Sequence, residues 1–182
     1  AWITSFKEKL PFALTGAQEK ALRDIRADMA SPRPMNRLLQ GDVGSGKTVV
    51  AAAAAGMAIA NGAQSAFMAP TSILAEQHLQ TLRGLLPSIL EIPVESIQLL
   101  IGATPEAEKA RIREGLDSGD IKVVVGTHAL IEDPVSFHRL GLAVIDEQHR
   151  FGVHQRAALR AKGANPNLLV MTATPIPRSL AL

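Results

Sequence analysis

Eight consecutive residues, Gly41, Asp42, Val43, Gly44, Ser45, Gly46, Lys47 and Thr48, follow the pattern G-x-x-x-x-G-K-[ST]. These residue types at this spacing suit capture of a polyphosphate. Glycines let the backbone curl until its N–H groups converge on phosphate oxygens. A helix opening at the lysine adds the positive end of its dipole. Lys47 can neutralise the outer phosphates, and the Thr48 hydroxyl can ligate Mg²⁺. A glycine-rich turn could match by chance, but Leu38-Leu39 before the loop and an alanine-rich stretch after it supply the strand and helix that the motif needs. A second cluster, Leu142-Ala-Val-Ile-Asp-Glu-Gln-His149, is an apolar run that ends in two adjacent carboxylates. Asp146 can hold Mg²⁺ through the metal's water shell, and Glu147 can orient or deprotonate an attacking water. ATP hydrolysis needs both tasks done close together. An apolar run ending in Asp-Glu is common, so its weight comes from standing in the same sheet as a phosphate loop.

Short apolar runs alternate with longer amphipathic segments, which predicts an α/β fold with a mainly parallel sheet flanked by helices in three layers. Predicted strands cover 37–40, 65–69, 97–100, 122–125, 142–145 and 168–171. Predicted helices cover 16–29, 47–60, 73–86, 106–116 and 154–161. Thr15 with Gln18 three residues on forms a capping box ahead of the first of these helices. Leu22, Ile25 and Met29 give that helix one apolar face. Upstream, Trp2, Phe6 and Leu10 recur every fourth residue. That stripe packs on this domain or marks a connection to another. We take residues 1–14 as a connecting segment and 15–182 as the nucleotide-binding lobe.

The chain has 182 residues, 47% of them apolar, which is enough for one domain with a real core. No apolar run is long enough to span a bilayer, and the first residues, with Lys7, Glu8 and Lys9, do not read as a signal peptide. The absence of cysteine excludes disulfides and cysteine-zinc sites and suits a cytoplasmic protein. Net charge is only +2, but six of the nineteen basic residues and just two of the seventeen acids lie between Arg139 and Leu182. That asymmetry is a solvated face or a surface for an anionic partner.

Taken together, the motifs resemble those of superfamily 2 helicases. Asp146, Glu147, Gln148 and His149 resemble the family's motif II, and Thr172-Ala-Thr174 resembles motif III. Gln18 stands where the family places an adenine-reading glutamine. Pro70-Thr71 resembles motif Ia, which contacts the nucleic-acid backbone, and Gly126-Thr127-His128 resembles a further strand-contacting motif. Within the superfamily, the runs Gly41 to Thr48, Asp146 to Val153 and Thr172 to Arg178 together resemble RecG-type branched-DNA helicases. Transcription-repair coupling translocases are the nearest competitor but carry a second glutamate where Gln148 stands here. Primosomal replication-restart helicases are more distant.

The RecG-type resemblance implies a RecA-like P-loop lobe of an ATP-driven motor that remodels stalled forks and Holliday junctions, with ATP and Mg²⁺ as cofactors and DNA as partner. It implies a second RecA-like lobe carrying an arginine finger, and a wedge domain, neither of them within this chain. It assigns nucleotide binding to Gln18 and residues 41–48, magnesium to Thr48 and Asp146, and catalysis to Lys47, Asp146 and Glu147. DNA contacts fall to Pro70, Thr71, Thr127 and His128. Coupling between lobes falls to Gln148, His149, Arg150, Thr172 and Thr174.

Blander roles stand beside these. Gln18 could serve its capping box instead of adenine, and Thr71 and Thr127 could cap helices or turns. Arg150 could simply pair with a carboxylate. His78, His128 and His138 show no metal-ligand spacing, and His149 and His154, five residues apart, do not share a helical face. Five Phe and one Trp are too scattered for a base-stacking platform. A GTPase would show Asn/Thr-Lys-x-Asp, and none of the seven lysines follows Asn or Thr. A nucleotide- or DNA-binding module without hydrolysis would have no need of Glu147.

Overall fold

The computed structural model describes residues 2–41, 46–128, 130, 135–146 and 166–172. Six parallel strands form one sheet: β1 (Asn36–Gln40), β2 (Gln64–Met68), β3 (Ile97–Leu100), β4 (Val123–Gly126), β5 (Leu140–Asp146) and β6 (Asn167–Thr172). Their spatial order is β1-β6-β5-β2-β4-β3. The described helices are α1 (Trp2–Lys9), α2 (Gly16–Ala30), α3 (Lys47–Ala60), α4 (Ser72–Leu90) and α5 (Glu106–Ser118). The α/β, three-layer expectation holds, and each predicted strand is present with its ends shifted by at most a few residues. The predicted helix 154–161 lies outside the described residues.

Parallel strands covered on both faces should be apolar throughout. β2 and β4 are buried along their whole length. Successive residues serve opposite layers. Phe67, Val123, Val125 and Val144 face a core shared with α1 to α4, while Ala66, Met68, Val124 and Ile145 face a second core with Ile112 and Leu116 of α5. The alanine run is explained by the place of α3. Ala51 to Ala55 are fully buried, and the helix touches α1, α2, α4, β2 and β5. A helix enclosed on so many sides is apolar all round, and small side chains let its neighbours approach.

One helix boundary differs from expectation for a physical reason. The expected helix 73–86 ends just before Pro87, yet α4 continues to Leu90. Leu86 and Ile89 flank the proline and are both buried in the main core, so packing outweighs the lost backbone bond. At the amino terminus, Phe6 is fully buried and Leu10 nearly so, and α1 contacts α3 and α4. The stripe therefore packs on this lobe through these two residues.

The edge of the sheet formed by strand starts is latched by two amides. Gln64 Nε2 donates to the carbonyls of Leu116 and Ile121 at 2.9 and 2.8 Å, and its Oε1 accepts from Arg139 N at 2.8 Å. Asn167 Oδ1 accepts from Met35 N at 2.7 Å, and its Nδ2 donates to the Gly141 carbonyl at 3.1 Å. These contacts tie the starts of neighbouring segments together at this edge.

Candidate nucleotide-binding site

All six strands run the same way, so every segment that follows a strand emerges on one edge of the sheet, where open α/β sheets bind ligands. The phosphate loop follows β1, Asp146 closes β5 and Thr172 closes β6. Pro70-Thr71 follows β2, and Gly126-Thr127-His128 spans the end of β4. The strand order sorts these candidates. The phosphate loop follows β1 and Asp146 closes β5, with Thr172, assigned to coupling, on β6 between them; Gln18 lies apart on α2, and the residues assigned to DNA follow the neighbouring β2 and β4.

On the phosphate side, Gly41 N donates to the Thr172 carbonyl at 3.2 Å, which ties the loop's first residue to the end of β6. Asp42, Val43, Gly44 and Ser45 lie outside the described residues. Gly46 takes the left-handed conformation, φ 82°, as N-cap of α3, and a Cβ there would collide with the Gln18 amide. Only glycine meets both conditions. Lys47 Nζ donates to the Gly41 carbonyl at 2.7 Å. An ammonium has three donors, so this contact leaves capacity for phosphate oxygens. Thr48 is half-buried in the first turn of α3.

Gln18 completes the capping box: its N–H donates to Thr15 Oγ1 at 3.1 Å, and its Oε1 accepts from Thr15 N at 2.9 Å. Its Nε2 reaches the Gly46 carbonyl at 3.4 Å. One side chain thus joins the start of α2 to the phosphate loop while serving as a cap.

On the carboxylate side, the structure brings forward a residue that sequence reasoning passed over. His78 Nε2 lies 2.6 Å from Asp146 Oδ2, with side-chain exposures of 8% and 17%. An ionised carboxylate can only accept, so the imidazole donates through Nε2. The ring also packs against Phe67, centroids 6.1 Å apart. The available signal was periodicity: Ala75, His78, Leu79 and Leu82 share the buried face of α4. A histidine there, on the helix after β2, faces the strand that carries the carboxylates. Glu147, Gln148, His149, Arg150 and Thr174 lie outside the described residues.

At the ends of β2 and β4, Thr71 caps α4 by accepting from Leu74 N at 3.2 Å and is exposed, as is Pro70. Thr127 is half-buried, His128 is exposed, and Ala69 N donates to the Gly126 carbonyl at 2.8 Å, holding the two strand ends together. Thr71 therefore plays its capping role, and α4 runs from that exposed threonine to the histidine that touches Asp146.

Comparison with known proteins agrees with this architecture. An ATP-dependent DNA helicase RecG of Streptococcus pneumoniae is 55% identical over 180 residues, covering 99% of this chain and 26% of the relative. That of Thermotoga maritima is 57% identical over 177 residues, covering 97% and 22%. The structure of RecG bound to a three-way DNA junction superposes with a TM-score of 0.83 at 53% identity, covering 99% of this chain and 24% of that one. The RecG-type resemblance is borne out, and the chain spans about a quarter of the length of these relatives. The profile of the DEAD/DEAH box helicases matches residues 15–182, and the chain belongs to that family.

Proposed function

We propose that this chain is the ATP-binding motor lobe of a bacterial, cytoplasmic DNA helicase that remodels branched DNA in repair and recombination. The observation that carries the reading is the convergence, on one sheet edge, of Lys47 in a phosphate loop and the Asp146 carboxylate two strands away. No described helix is long and apolar enough to cross a membrane. Residues 1–14 connect the lobe to a wedge domain, and a second RecA-like lobe closes over the nucleotide.

The donor set suits magnesium. One hydroxyl, Thr48, and one carboxylate, Asp146, are hard oxygen ligands. Among the described residues no group of three or more His, Cys, Asp or Glu could cage an ion. Magnesium is usually held by one or two protein oxygens and keeps waters and phosphate oxygens as its remaining ligands. When bound, it would offset charge on the β- and γ-phosphates. Lys47 binds and orients those phosphates, the dipole of α3 favours them, and Glu147 takes a proton from the attacking water. Gln18 sits beside the loop where it can meet the base. Alone, the lobe hydrolyses ATP slowly, since a missing arginine finger costs about 10³–10⁵ in rate. It does not unwind DNA, because movement needs two lobes that close and open. Gln148, His149, Arg150, Thr172 and Thr174 couple the lobes, and Pro70, Thr71, Thr127 and His128 hold the DNA backbone.

The test is calorimetric titration of Mg²⁺-ADP into the chain and into Lys47→Ala. Binding that weakens by at least about tenfold in the variant is expected, the loss of a charge-assisted contact. Equal binding by both proteins, or none by the wild type, would count against a working phosphate site in this lobe.

A further inference from the structure

We propose that His78 is a positioning residue that holds the Asp146 carboxylate in the orientation magnesium requires. The proposal rests on the reading of Asp146 as the magnesium ligand.

Three observations carry it. The Nε2–Oδ2 distance of 2.6 Å is that of a strong charge-assisted hydrogen bond. The pair is largely withdrawn from solvent, so the bond is not diluted by competing water. The imidazole is itself held, by the buried face of α4 on one side and the Phe67 ring on the other. Asp146 is the last residue of β5, and its backbone pairs there with Met171 of β6. A carboxylate at a strand end can rotate about χ1 and χ2, and a bond to one oxygen removes that freedom. It occupies one lone pair of Oδ2 and leaves Oδ1 to meet the metal or its waters, since a carboxylate offers about four acceptor sites. Partners behind a metal ligand act this way in general, and their loss typically weakens metal affinity about 10–100-fold.

Core packing alone would also account for a buried histidine, so the experiment separates the two roles. ADP affinity of the full chain is measured by calorimetry with excess Mg²⁺ and again with EDTA, and the ratio gives the tightening due to the metal. His78→Leu keeps the bulk and removes the donor. His78→Gln keeps an N–H at the reach of Nε2, and His78→Asn stops one bond short. The ratio in His78→Leu is expected to fall by about tenfold, with the EDTA affinity unchanged and the Gln variant close to wild type. A wild-type ratio in His78→Leu, or an equal loss with and without Mg²⁺, would overturn the positioning role. If His78→Leu does not fold, as judged by circular dichroism, the Gln and Asn variants decide, and equal ratios in those two overturn the proposal. A wild type that gains nothing from Mg²⁺ would instead sink the assignment of Asp146, and the proposal with it.

Discussion

The two edges of the sheet use polar side chains in opposite ways. At the strand starts, the amides of Gln64 and Asn167 spend their hydrogen-bonding groups on backbone atoms of neighbouring segments. Gln64 is 2% exposed. At the strand ends, among the described residues, Lys47 meets a carbonyl, Asp146 meets a histidine, and Thr71 offers an exposed hydroxyl. At the first edge both amides are engaged, although Ser65 Oγ beside Gln64 is buried without a partner among the described residues, and at the second edge the side chains retain capacity. Buried polar groups must be paired, whereas groups that meet a ligand must keep something to offer it. The contrast predicts that changes at one edge alter stability without function, and at the other function without much stability.

The largest expected effect lies at the strand ends. In a full-length protein carrying this lobe, Glu147→Gln should slow ATP turnover by on the order of 10²–10⁴-fold, the usual contribution of a general base. Nucleotide binding and the unfolding midpoint should stay close to wild type. Steady-state ATPase rates beside a thermal melt would check this, and wild-type turnover would remove Glu147 from the mechanism.

The mirror image is Gln64→Leu. The substitution keeps the volume but strips the Leu116 and Ile121 carbonyls and the Arg139 N–H of this partner. It should cost roughly 2–4 kcal/mol, because buried groups lose their hydrogen bonds. Mg²⁺-ADP affinity, measured where both proteins are folded, should not move. A denaturant titration showing no loss would mean that relaxation or water replaces the amide and that this edge is less closed than it looks.

The two edges were also unequally legible in the sequence. The phosphate loop, the carboxylate pair and all six strands follow from local pattern, since a loop that wraps phosphate needs particular residues at fixed spacing and a buried strand needs an apolar run. Gln64 carried no such signal. It sits just before a predicted strand, and its partners lie 52 to 75 residues away, so only the folded chain shows what it does. His78 was hidden for a related reason. Its partner is 68 residues on, and a search for metal spacing asks about neighbours in sequence. The end of α4 runs past the expected residue 86 because Leu86 and Ile89 answer to the core. For Gln18 and Thr71, capping and ligand roles looked like rivals. Both caps are in place, and the Gln18 side chain reaches the Gly46 carbonyl as well.

Thr71 gives the smallest and most discriminating test. Its Oγ1 accepts from Leu74 N, and a hydroxyl that accepts still has its own hydrogen to donate. One exposed side chain can therefore cap α4 and donate to a phosphate, a contact that positions DNA without reading its sequence. Thr71→Ala should lower stability by about 1 kcal/mol through loss of the cap and weaken DNA binding by a comparable amount, roughly 0.5–1.5 kcal/mol for one hydrogen bond. Thr71→Ser keeps the hydroxyl and should retain both properties. Urea denaturation and fluorescence anisotropy with a fork DNA would read the two effects separately. Loss of stability with unchanged DNA affinity in Thr71→Ala would confine this threonine to capping. The exposed edge would then begin at Thr127 and His128, and α4 would no longer join a DNA contact to the carboxylate that His78 holds.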